Sequence, residues 1–251
     1  MNERVRRAID DGANAVDDAR TAVSDAANDA AAAMGEVAAK VKPRLRGVSH
    51  FWAFFAALAA GAVLVTIAPD GRATLAAAIY ATSLVALFGI SALYHRVNWS
   101  PSARRWMRRL DHSAIFLLIA GTVTPFALLV MDGPFATALL VAVWAGAAAG
   151  IIIEVAWIDA PKWVTVIVYL CVGWIGAIGF PAIVIEAGIG AGALIAVGGA
   201  LYTAGAIVYA RQRPDPNPAV FGYHEIFHVL VIAAAVTHFA AVAFFALPAA
   251  G

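Results

Sequence analysis

Seven apolar runs, each long enough to cross about 30 Å of hydrocarbon at about 1.5 Å per helical residue, constrain this chain more than any other feature. They cover residues 48–68, 75–94, 112–131, 135–155, 163–185, 191–210 and 226–247. Turn chemistry separates them: Pro69-Asp70-Gly71, Asp132-Gly133-Pro134, Asp159-Ala160-Pro161, Glu186-Ala187-Gly188, and a Pro214–Pro218 segment holding three prolines. Pro125 and Pro181 fall inside runs three and five, where kinks are expected. Only 13% of residues are charged, against roughly 25% in water-soluble domains. The expected fold class is therefore an all-α integral membrane protein, a seven-transmembrane-helix bundle spanning residues 43–251.

Charge sets the expected orientation. Lys40, Lys42, Arg44 and Arg46 precede the first run, and Arg96, Arg104, Arg105, Arg108 and Arg109 lie between the second and third. Lys162, Arg211 and Arg213 fall on the same side, whereas the other side holds only Arg72. The positive-inside rule then puts the N-terminus in the cytoplasm and the C-terminus outside, in a plasma (inner) membrane. Trp52, Trp99, Trp106, Trp157 and Trp163 fall near the cytoplasmic boundary, as an interfacial aromatic belt would. The basic segment Arg104–Arg109 reads as a juxtamembrane cluster facing anionic lipid rather than a nucleic-acid site.

Four ionisable residues gather at that cytoplasmic end. His95 closes the second run, Asp111 opens the third, and His224 and His228 open the seventh. Such groups are costly in a membrane segment and so are candidates for function. His224 and His228 stand four apart on one helical face, as do Ser91 and His95. Three imidazoles leave a fourth position open on a zinc ion, the catalytic pattern rather than the closed structural one. Asp111 would accept a hydrogen bond from a ligand imidazole or from water at the metal. It could equally cap its helix. Ser91 could return its hydroxyl to its own helix.

These residues carry a resemblance. The segments Arg46-Gly-Val-Ser-His50, Ser91-Ala-Leu-Tyr-His95-Arg96, Leu110-Asp111-His-Ser through Pro125, and His224-Glu-Ile-Phe-His228 resemble the hemolysin III proteins. These form the bacterial branch of the progestin and adipoQ receptor family, in a superfamily with alkaline ceramidases. The resemblance runs over residues 44–247. It implies seven helices with a cytoplasmic N-terminus, zinc at His95, His224 and His228, and Asp111 beside water at the metal. His50 and His112 lie at the right depth, but no spacing ties them to the triad. His238 lies about 15 Å further along than His228, too far to share its ion, and reads as a buried, hydrogen-bonded histidine.

Two functional classes follow. One is a zinc-dependent hydrolase of a lipid amide or ester, with Asp111 orienting or deprotonating water and Ser91 donating to the developing oxyanion. The likeness to ceramidases supports it. The other is non-enzymatic, either a membrane sensor with structural zinc or the pore-forming hemolysin of the family name. The literal toxin suits the chain poorly, because residues 1–42 lack the hydrophobic core of a secretion signal. Cys171 is the single cysteine, so neither a disulfide framework nor a thiolate cluster is expected. The small-residue runs Gly146–Gly150 and Gly198–Gly205 permit close helix contact, within the bundle or between subunits.

Residues 1–42 form a separate Ala-rich, charged cytoplasmic tail. Ile9, Val16, Val23, Ala30 and Val37 recur every seven residues, with Val5, Gly12, Ala19, Ala26 and Ala33 as a companion row. A loosely helical, solvated tail is expected, with a weak coiled coil or a membrane-surface helix as alternatives.

Overall fold

A computed structural model describes residues 20–27, 42–69 and 71–250, and the chain divides into two units, Met1–Pro43 and Arg44–Gly251. In the first, residues 20–27 are helical and exposed. Of the heptad rows, Val23 and Ala26 fall here, and both face outward; the other positions lie outside the described residues.

The second unit carries seven spans long and apolar enough to cross a membrane, the bundle expected from the apolar runs. They are α1 Val48–Ile67, α2 Arg72–Arg96, α3 Pro101–Leu129 and α4 Gly133–Ala156. The fifth is split into α5 Lys162–Ala177 and α6 Phe180–Glu186, followed by α7 Gly188–Arg211. Last comes α8 Tyr223–Ala241, which runs on through a π turn at Val242–Ala246. Helices α2 and α3 are the inner ones: half or more of their apolar windows is buried (50% and 61%), against 22% for α1. Large apolar side chains such as Trp52, Ile152, Ile189 and Phe244 point outward, an arrangement suited to lipid.

Two boundaries differ from the sequence expectation. Helix α3 starts at Pro101, capped by Ser100, whose hydroxyl accepts from the Ala103 N–H at 3.4 Å. Asp111 therefore sits inside a continuous helix and caps nothing, and Arg104–Arg109 form helix rather than loop. Their polarity hid the helix because its support is tertiary. The Arg109 Nε donates to the Val155 carbonyl at 3.0 Å, and Arg108 donates to the Ile158 carbonyl and to Asp159. These guanidiniums satisfy carbonyls at the C-terminal end of α4, where cations also suit the helix dipole. Pro181 follows a break between Ala177 and Phe180, whereas Pro125 stays within an unbroken α3.

One non-local pairing brings the start of the second unit to its last span. The Arg44 and Leu45 N–H groups donate to the carbonyls of Ala219 and Val220, at 3.0 and 3.2 Å. That ties the entry of α1 to the loop before α8.

Candidate metal centre

The pairing of residues 44–45 with the loop before α8 is reinforced one turn further on. Arg46 forms an ion pair with Glu225, whose other oxygen accepts the Gly222 N–H at 2.8 Å. Glu225 thus closes the N-terminus of α8 while anchoring the start of α1. Next to Arg46 stands Gly47, with φ of +75°; a Cβ there would come within 2.6 Å of the His95 Cβ. Both the left-handed backbone and the close approach require glycine, and the result is α1 lying directly against the end of α2.

At this junction four imidazoles converge. His95 and His224 face each other, Nε2 to Nε2, at 3.1 Å. With His228 they form a group whose ligand atoms all lie within 4.8 Å of one another. The His224 and His228 rings are 4.5 Å apart, as expected for neighbouring turns of one helix. Asp111 presents Oδ2 to the His95 Nε2 at 3.6 Å. His50 joins from α1, its ring stacked on His228 at 3.7 Å and 5°. Its Nδ1 lies 2.8 Å from the Ser91 hydroxyl, so Ser91 is held by an imidazole rather than by its own helix.

The donor set fits zinc. Two nitrogens at about 2.0–2.1 Å from a tetrahedral ion are separated by about 3.3 Å, close to the 3.1 Å observed between His95 and His224. A single shared proton could join one such pair of imidazoles, but it leaves the third without a partner. The Nδ1 of His228 and the Nε2 of His50 are buried with no hydrogen-bond partner among the described residues. The centre is mostly shielded: His50, His95 and His228 are 2%, 7% and 2% exposed, while His224 is half-buried. Two cavities of about 220 and 170 Å³ lie at the opposite end of the bundle, lined by residues such as Ile67 and Pro248, or Arg72 and Asp132.

His112, next to Asp111, turns away from this centre. Its Nδ1 lies 2.9 Å from Oε2 of the buried Glu154 on α4, and the Tyr169 hydroxyl donates to Oε1 at 3.4 Å. Two partners were thus missed from sequence. Glu154, an acidic residue within an apolar run, carried a usable signal. His50 carried little, because its neighbours Ser91 and His228 come from two other helices. His238 is buried and bonded as expected, its Nε2 3.2 Å from the Ile195 carbonyl.

Fold and site together define a multi-pass membrane protein with a largely buried three-histidine cluster at one end of its bundle. A sequence profile of the family "Haemolysin-III related" matches residues 38–239, and the chain belongs to that family. It is similar to Hemolysin-3 of Bacillus cereus, 33% identical over 179 residues, covering 71% of this chain and 78% of the relative. The Hemolysin-3 homolog of Bacillus subtilis is 32% identical, covering 66% and 75% respectively. The human Monocyte to macrophage differentiation factor is 28% identical over 200 residues, covering 77% and 80%.

Proposed function

We propose that this protein binds one zinc ion through His95, His224 and His228 and acts as a hydrolase on a lipid amide or ester, serving membrane homeostasis. The observation that carries the reading is a group of three imidazoles, without a fourth protein ligand among the described residues, beside the Asp111 carboxylate. Zinc, when bound, polarises a carbonyl and makes water acidic enough to attack near neutral pH. Asp111 orients that water and takes its proton at Oδ2, the oxygen turned toward His95. In the tautomer where the His50 Nδ1–H donates to Ser91, the serine O–H is left to donate to the developing oxyanion. His50 is then a positioning residue, fixing Ser91 on one side and bracing His228 on the other.

Purified protein incubated with ceramide and phospholipid extract should release free fatty acid, and a chelator should stop it. Lipid profiles identical with and without chelator would remove the hydrolase reading. The burial of His50, His95 and His228 favours a second reading, in which zinc is structural or regulatory and the protein a membrane sensor. Under that reading chelation lowers thermal stability while lipids stay unchanged.

The basic residues around Arg96–Arg109 support a cytoplasmic site in the plasma (inner) membrane, with the N-terminus cytoplasmic and the C-terminus outside. A reporter that fluoresces only in the cytoplasm should be dark when fused after the C-terminus and bright at the N-terminus. The reverse pattern would place the histidines at the outer face.

A further inference from the structure

At the end of the bundle opposite the metal centre, α2, α3 and α4 border a cavity of about 170 Å³. Its lining carries one cation and one anion, Arg72 at the start of α2 and Asp132 just before α4. Arg72 donates one N–H to the Leu128 carbonyl at 2.8 Å, which pins the guanidinium across from α2 to the end of α3. A guanidinium has five N–H groups, so others remain to donate into the cavity. Asp132 makes no capping bond to α4, and among the described residues it pairs neither with Arg72 nor with any other cation. Two opposite charges thus share one cavity without neutralising each other. Of the other acidic residues at this end, Glu186 does not line the cavity and Asp70 lies outside the described residues.

The rest of the lining is largely apolar. Ala127, Met131, Ala136 and Leu140 border the same cavity, and Leu140 lies about 10 Å along α4 from Gly133. Leu75, one turn along α2 from Arg72, and Phe135 are 55% and 46% exposed, as side chains facing acyl chains would be. A ligand matching this lining has an anion and a cation at its head and an apolar part beneath them. We propose that the cavity binds the headgroup of an ethanolamine phospholipid. The phosphate accepts from the Arg72 guanidinium, the ammonium donates to the Asp132 carboxylate, and the acyl chains leave past Leu140. A choline headgroup has no N–H to give a carboxylate and is recognised by aromatic cages, whereas none of the lining residues is aromatic. A phosphate without an ammonium would face Asp132 as a like charge. At about 30 Å³ per water, the volume holds about five or six waters, which is room for a headgroup and not for a whole lipid. The site stands independently of the zinc hydrolase reading.

Native mass spectrometry of the full chain in detergent tests it, with dioleoyl phosphatidylethanolamine, phosphatidylcholine and phosphatidylglycerol supplied in equal amounts. The unmodified protein should retain the ethanolamine lipid severalfold over each of the others. Asp132→Asn keeps the size of an exposed side chain, so the unfolding temperature should barely move. It should nevertheless bring retention of the ethanolamine lipid down to that of the choline lipid. Arg72→Gln should lower retention of the ethanolamine lipid as well, by removing the partner of its phosphate. Equal retention of the three lipids by the unmodified protein would overturn the proposal, as would an ethanolamine preference that Asp132→Asn leaves intact. Displacement of the lipid by an equal concentration of glycerophosphoethanolamine would overturn it too, by making the ligand a soluble headgroup instead of a membrane lipid.

Discussion

Helix α3 carries two imidazole–carboxylate clusters on different faces, and their difference separates a site from a brace. On one face His112, Glu154 and Tyr169 satisfy one another: the carboxylate has the imidazole on one oxygen and the phenol on the other. Nothing is left over, and the cluster ties α3 to α4 and α5. On the other face Asp111 looks onto His95, and His95 onto His224 at 3.1 Å, with a nitrogen of His228 within 4.8 Å of both. Here nitrogens converge on nitrogens, an arrangement that a cation completes and neutral side chains do not. Equal chemistry, one residue apart in sequence, serves cohesion in the first case and, under the proposed function, metal binding in the second.

Substituting each cluster should sharpen that contrast. Glu154→Leu removes the carboxylate that joins His112 to Tyr169, leaving the His112 Nδ1 unpaired and the Tyr169 hydroxyl with only the His112 carbonyl at 3.4 Å. It should destabilise the protein by about 3 kcal/mol, read as a fall in thermal unfolding temperature, with zinc per chain unchanged. Zinc loss in a folded Glu154→Leu protein would merge the two clusters into one.

Asp111→Asn should do the opposite, with a smaller effect. The amide keeps the size and part of the hydrogen bonding, so unfolding temperature should barely move. Zinc should stay bound but about 10–100-fold more weakly, as when a partner of a metal ligand is altered, and any lipid hydrolysis should fall sharply. Near-complete zinc loss, measured by competition with a chromophoric chelator, would make Asp111 a direct ligand instead.

Much of this contrast was legible in the sequence, and the gaps have physical causes. Run length and apolarity identified all seven spans, because a membrane leaves backbone few other ways to satisfy itself. The four-residue spacing of His224 and His228 and their common depth with His95 fixed three of the imidazoles. The start of α3 was misplaced because Arg108 and Arg109 look like loop until α4 supplies carbonyls for them. His50 has no assignment from sequence because periodicity describes a single helix and does not say which helices touch. That contact depends on residues 44–45 pairing with residues 219–220, far away in the chain. The direction taken by His112, about 100° around α3 from Asp111, is readable, but its partner Glu154 lies on another helix, which periodicity along α3 does not place.

The most direct test of the central claim is X-ray absorption at the zinc edge on purified wild-type protein beside His228→Ala. The wild-type protein should hold about one zinc, with three imidazole nitrogens at about 2.0–2.1 Å and one further light ligand, and His228→Ala should lose most of the metal. A wild-type protein purified without zinc that takes none up, or a His228→Ala protein with the same zinc content and the same spectrum, would contradict the three-histidine centre.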